Sequence, residues 1–441
     1  MDLAVAFAVF AAAMAGALSW GANMLWGLFA GMLAFIGVGL RRGVPLSGLL
    51  RMSWHGALGS LVVIRVFVLI GLLTAMWRTG GTFALLVAWG IKLITPSLFI
   101  LVAFLLSCLL SYAIGTSFGV ASTLGVVLMA LARSGGVNEY IAAGAVMSGI
   151  YFGDRGSPAS SCANLVAAVT STQLFGNVKL MMKSALLPAG LSAGLYLFLS
   201  LRNPVVGVSG STLAALEADF NLSPWAVAPA VLMIFLPVLK VRVLYAFIAS
   251  ILSAFLCAVL FQGRGVAETL RCCVFGFQLR GGAVGTLLDG GGLLSMLNIS
   301  LILLVSSTYS GIFDGTGMLD GLQSRIERFM RRAGAFPAMA LAGVLANALF
   351  CNQTIGVMMS AQIMSRPYEK AGASREELAL DIANSTVTLA GMIPWCIACS
   401  MPLLMMNVSL GALPYSFYLY LLPLCYFFTK KRWFRARGTG K

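Results

Sequence analysis

The chain has 441 residues, 60% of them hydrophobic and only 10% charged, with a mean hydropathy of +0.95. A soluble globular chain carries roughly a quarter charged residues, so this composition excludes a water-soluble domain and indicates an all-α polytopic membrane protein. The net charge of +15 would suggest nucleic acid on a soluble fold. Here the basic residues stand between apolar runs, which excludes that partner and makes the lipid bilayer the neighbour instead.

Residues 3–20 lack a basic leader and run almost directly into a second apolar stretch at 22–40. They read as a first membrane helix, not a signal peptide. Together with runs at 57–77 and 80–96 they form an N-terminal group, residues 1–97. A first repeat core occupies 98–201, with its break at 151–165, and linking helices fill 202–334. A second core takes 335–429, with breaks at 351–356 and 384–396, and a basic tail closes the chain at 430–441. With half-length runs merged, about ten to twelve crossings are expected. Arg41 and Arg42, Lys240 and Arg242, Arg325 to Arg332, and the tail with Lys430, Lys431, Arg432, Arg435 and Arg437 mark cytoplasmic segments. The C-terminus is therefore expected in the cytoplasm. Within "MLDGLQSRIERFMRR" (318–332), Leu319, Leu322, Ile326 and Phe329 recur at helical spacing opposite Arg and Glu. That pattern fits an amphipathic helix on the membrane surface, or a plain loop helix. Cys396 and Cys399 form a CxxC, but the single histidine, His55, is far away in sequence. Close packing of small residues explains the pair better than a metal site does.

One pattern occurs twice. "SYAIGTSFGVASTLG" (111–125) interrupts an apolar run at Thr116 and Ser117, and some forty residues on comes "YFGDRGSPASSCANL" (151–165). "ALFCNQTIGVMMS" (348–360) interrupts a second run at Asn352, Gln353 and Thr354, and some forty residues on comes "NSTVTLAGMIPWCIAC" (384–399). Thr116 precedes Pro158 by 42 positions and Thr354 precedes Pro394 by 40. Backbone that leaves helical geometry inside hydrocarbon must line protein or water, so paired breaks predict a transport cavity.

Fourteen acids are present, and most stand at loops or ends. Asp154, Asp289, Asp314 and Asp381 remain as candidates. Asp154 sits in the break, where a carboxylate can bind a cation or, partly desolvated, take a proton instead. The alternative is a structural ion pair, with Asp154 held by Arg155 or another basic residue. Adjacent helical residues do not face each other. Arg155 is therefore expected to point elsewhere, to an anionic substrate or the interface. Asp381 begins the second broken run, and Asp314, like Asp289, is flanked by glycine.

At these residues the chain resembles the NhaC-type sodium/proton antiporter family, along most of 98–410. "AAGAVMSGIYFGDRGSPASSCANLVAAVTSTQLF" is the most specific stretch, joined by "GTSFGVASTLGVVLMALA", "GGGLLSMLNISLILLVSSTYSGIFDGTGML" and "LANALFCNQTIGVMMSAQIM" through "STVTLAGMIPW". The resemblance implies two inverted repeats, a midplane site and secondary transport in a prokaryotic plasma membrane. It also implies Na+ and H+ as transported ions, without a cofactor. Homodimers are frequent among such antiporters. The resemblance places Asp154, transiently holding Na+, in the site with Ser157 and Asn164. Neutral ligands are expected from Asn352, Thr354, Asn384, Ser385 and Thr386. Family acids are missing at two places: Ser161 stands where an acid usually follows the Ser-Pro, and Ala383 and Asn384 stand where the family often has Glu-Asp before the second break. Fewer fixed charges suit two protons per Na+ poorly and leave open an organic anion or amino acid coupled to Na+ or H+. An enzyme using Ser157, Ser160 or Cys162 would lack a nearby base.

Overall fold

The computed structural model describes residues 2–20, 22–93, 96–203, 210–239, 241, 243–279, 289–316 and 320–433. Lys240, Arg242, Leu319, Arg435 and Arg437 lie outside the described residues, and the side chains of Asp314, Leu322 and Arg325 are likewise not described. Helices run from Asp2–Ser19 to Phe417–Trp433, and the one β contact among the described residues is a bridge between Phe277 and Gly290. The chain is an all-α, polytopic membrane protein.

By length and apolar character three described helices can span a bilayer: Met24–Arg41, Leu174–Arg202 and Leu293–Phe313. Two bent pairs add to them, Ile64–Thr79 with Thr82–Trp89 at 68° and Arg375–Met392 with Ile397–Met405 at 53°. This count is lower than ten to twelve. Breaks cut many apolar runs into helices of 10–17 residues, such as Phe99–Ile114 and Ala335–Phe350, shorter than the ~20 residues one span needs.

The N-terminal and linking helices pack on each other. Leu297–Thr316 lies against Leu46–Gly59, and Val243–Leu260 lies against Leu61–Thr79. Glycine makes the first contact close: a Cβ on Gly56 would stand 2.3 Å from the Ser307 carbonyl oxygen, and one on Gly311 2.0 Å from that of Met52. Small residues let membrane helices approach where no hydrophobic effect drives them together. The stretch expected to be amphipathic forms the helix Asp320–Ala333, with Ile326 buried and Arg328, Arg331 and Arg332 exposed.

The two cores repeat with constant displacement. Phe99–Ile114, Ser117–Arg133, Glu139–Gly156 and Ser161–Thr170 are followed by Ala335–Phe350, Gln353–Lys370, Arg375–Met392 and Ile397–Met405. From Phe99 to Ala335, from Thr116 to Asn352, and from Pro158 to Pro394, the shift is 236 positions. The register thus pairs Thr116 with Asn352 rather than with Thr354. Backbone geometry agrees. Gly115 (φ 75°) and Cys351 (φ 54°) both end their helices in the left-handed region. Thr116 and Asn352 both cap the next helix through a side-chain oxygen. Hydrogen bonds recur at the same displacement. Ser111 Oγ donates to the Ile150 carbonyl, and Asn347 Nδ2 to that of Thr386 at 2.8 Å. The Tyr112 carbonyl accepts from Ser157 Oγ at 2.6 Å, and the Ala348 carbonyl, 236 positions on, accepts from Trp395 Nε1 at 2.7 Å, a donor in the second break but two residues beyond the equivalent of Ser157. In each core the carbonyl in the last turn of the first helix, Tyr112 or Ala348, is satisfied by a side chain from the break that crosses it.

Candidate transport site

The breaks are narrower than the sequence suggests. Glu139–Gly156 stays helical through Asp154 and Arg155, and only Ser157–Ser160 leave the helix. Ser160 restarts it by accepting from the N–H groups of Cys162 (3.1 Å) and Ala163 (3.2 Å), while its hydroxyl donates to the Asp154 carbonyl. A serine in this cap position supplies the acceptor that the first turn lacks. In the second core the break is Ile393–Cys396. There the Ile397 N–H donates to the Cys351 carbonyl at 2.8 Å, tying this break to the other one of its core.

Both pairs of breaks open on one cavity of about 510 Å³. Gly115, Thr116 and Ser117 line it from the first core, and Asn352, Gln353 and Thr354 from the second. Asp154, Ser161 and Cys162 complete its polar wall, while Val66, Leu69 and Phe247 come from helices outside the repeats. Asp154 is 5% exposed. Its Oδ1 accepts from the Ser117 N–H at 3.4 Å, its Oδ2 makes no close hydrogen bond among the described residues, and the side chains of Ser117 and Gln353 stand beside the carboxylate. No other acid belongs to the cavity lining among the described residues. A buried carboxylate with an unused oxygen can take a cation or a proton at that oxygen.

Arg155 points elsewhere, as its helical position requires. Its guanidinium donates to Asn384 Oδ1, to the Met181 carbonyl at 2.6 Å and to Ser184 Oγ at 3.4 Å. It is 1% exposed, so the ionic alternative for Asp154 fails as far as Arg155 is concerned: the arginine is spent on neutral partners. Asn384, where the resemblance leads one to expect an acid, is thus a strut between the cores and does not line the cavity.

Thr116, Ser117, Asp154, Asn352 and Thr354 are brought together at the cavity wall. Ser157, Asn164, Ser385 and Thr386 are not. Ser157 serves the Tyr112 carbonyl, and Asn164 Nδ2 donates to the Ser160 carbonyl at 2.7 Å. Ser385 Oγ donates to the Asp381 carbonyl at 2.6 Å, and Thr386 Oγ1 lies 3.3 Å from Ser360 Oγ. Ser385 and Thr386 fall in a π-helical turn, Ala383–Val387, and such turns shift backbone bonds and need local partners. Gln353, Ser161 and Cys162 also line the cavity, although the sequence did not single them out as site residues. The apolar wall from Val66, Leu69 and Phe247 had no sequence signal.

Asp381 does not open on the cavity. It is fully buried and accepts from Tyr368 at 2.5 Å and Tyr426 at 2.8 Å, with the Lys430 ammonium paired to it. Lys430 also pairs with Glu377 at 2.7 Å. The last helix is thereby fixed to the second core. Asp381→Ala takes the acceptor from the Tyr426 hydroxyl, leaves Tyr368 only the Ala335 carbonyl and leaves Lys430 only Glu377, so it is expected to cost about 1–3 kcal/mol. Glu377→Ala, which leaves Lys430 its buried partner, should cost clearly less. Melting curves of the two detergent-purified variants check the order.

The sequence pattern of the Na+/H+ antiporter family matches residues 2–163 and 149–428. Over 372 residues the chain is 26% identical to the malate-2H(+)/Na(+)-lactate antiporter of Bacillus subtilis (strain 168), covering 81% of this chain and 78% of that protein. Identity is 25% over 387 residues with the Na(+)/H(+) antiporter NhaC of Alkalihalophilus pseudofirmus, covering 86% and 83%. With the arginine/ornithine antiporter ArcD of Halobacterium salinarum it is 28% over 385 residues, covering 84% and 78%. Matched along nearly its whole length, the chain belongs to the Na+/H+ antiporter family.

Proposed function

We propose that the protein is a secondary active antiporter that exchanges Na+ for H+ by alternating access, with Asp154 holding either ion in turn. One observation carries this reading. Asp154 is the acid of the cavity where the breaks of both cores meet, and among the described residues it is faced by neutral groups of Ser117 and Gln353 and by no cation. Two cores in the same element order are consistent with the paired halves that alternating access uses. An inverted relation between them follows from the same resemblance. The cluster of basic residues from Lys430 onward supports a cytoplasmic C-terminus, and the likeness to bacterial antiporters supports a prokaryotic plasma membrane. The cavity is large for one ion, which favours a second cargo, a small organic anion or amino acid coupled to the same ions.

Proteoliposomes holding the purified chain and a pH-sensitive dye test the exchange. With an imposed proton gradient, Na+ or Li+ is expected to collapse it, and K+ to do so far less. No collapse with any of the three, in protein shown to be folded, would overturn the reading.

A further inference from the structure

Ser117 opens the second helix of the first core, and Gln353, 236 positions on, opens that of the second. Both side chains stand beside the carboxylate of Asp154. The acid itself has no counterpart, because Ala390, fully buried, stands at the equivalent position. One carboxylate is therefore flanked by the same position of both cores. The two neighbours differ in what they can do. The Ser117 N–H is backbone and reaches Oδ1 from the acid's own core at 3.4 Å. Gln353 is a long side chain of the other core, at the tip where Ala335–Phe350 ends and Gln353–Lys370 begins.

Gln353 Nε2 donates to the Val387 carbonyl at 2.9 Å, at the end of the π-helical turn Ala383–Val387. An amide nitrogen carries two N–H groups, so this bond leaves one for the carboxylate beside it. Oδ2 makes no close hydrogen bond among the described residues, and the contact is loose enough to tighten or part. Charge decides which. Hydrogen bonds to an ionised acceptor are roughly twice as strong as those between neutral groups. An empty site presents a buried negative charge, and the amide closes on it. A bound cation cancels that charge and takes the oxygen, and the amide loses its hold. Exchange without leak needs this order: the empty carrier stays put and the loaded one moves. A ligand shifts a two-state equilibrium only by contacting the two states differently, and Gln353 supplies that difference.

We propose that Gln353 is a positioning residue that couples the occupancy of Asp154 to the second core. It fastens the tip of that core to the empty carboxylate and lets go when a cation is bound. This rests on the reading of Asp154 as the ion-carrying group.

Proteoliposomes holding the full-length chain are loaded with radioactive Na+ at alkaline pH, where protons are scarce. Efflux is measured with and without Na+ outside. In the wild type, external Na+ should speed efflux by about fivefold or more, because the empty carrier stays fastened. In Gln353→Leu that ratio should fall to about one, with efflux into external Na+ kept within about threefold of wild type. Gln353→Asn, which keeps the amide on a shorter stem, should give a ratio between the two, and it carries the test if the leucine variant does not fold. A bracing role alone would lower both fluxes together and leave the ratio as in the wild type. That result in either folded variant overturns the proposal. If Asp154→Asn stops efflux in the same assay, the reading of Asp154 survives and Gln353 alone is refuted. Wild-type efflux that Asp154→Asn leaves unchanged, or no Na+ flux in the wild type, overturns both.

Discussion

Asp154→Asn is expected to reduce cation-driven proton exchange to the rate of empty liposomes. The amide keeps the size of the carboxyl, so the buried position between Ser117 and the cavity is preserved. It offers no negative charge. A cation stripped of water beside a neutral amide loses several kcal/mol, a decline on the order of 100-fold or more. The pH behaviour gives a second readout. If proton and Na+ compete for one carboxylate, lowering the pH by one unit supplies ten times more protons. Once the carboxyl is mostly protonated, the apparent KM for Na+ rises by about tenfold per unit, and linkage requires Na+ to weaken proton binding equally. Stability at the site moves with neither ion in the Asn variant, so any residual exchange should lose this competition. Exchange at the wild-type rate in Asp154→Asn would move the ion to another residue.

A second large effect is expected at Gly153, one residue before the carboxylate. A Cβ there would stand 2.1 Å from the Ser111 carbonyl carbon and 2.2 Å from the Tyr112 nitrogen. Both are backbone atoms and cannot swing aside. At this crossing Ser111 donates to Ile150 and Ser157 to Tyr112, the bonds that satisfy the broken backbone. Gly153→Ala should therefore exceed the usual 1–3 kcal/mol of overpacking. Most of the protein should be lost as monodisperse material in detergent, with exchange lost alongside. Gly190 is the control, since nothing lies within 4 Å of a Cβ there and it sits inside Leu174–Arg202. Alanine at that position should be neutral or stabilising by up to about 1 kcal/mol. Equal melting temperatures for the two variants would show that the crossing is looser than its geometry implies.

The membrane class, the two interrupted cores and the singular position of Asp154 were legible in the chain. Composition, run length and small polar residues inside apolar runs are local properties, and the bilayer penalises them residue by residue. The break at Ser157–Ser160 was legible only as a region, because Gly153 and Gly156 mark a close approach and a helix end rather than the break itself. Register between the cores was misread by two positions, since Thr116 and Thr354 look alike while the geometric equivalent of Thr116 is Asn352. Only the tertiary structure decided which polar residues face the cavity. Asn384 looks like a cation ligand in sequence, but Arg155, 229 positions away, claims its oxygen. Asp381 looks like an entry acid, but Tyr368, Tyr426 and Lys430 enclose it. Spacing along a chain tells which residues share a helix face. It does not tell which partner from another helix will satisfy a buried polar group, because that partner is fixed by packing across the fold.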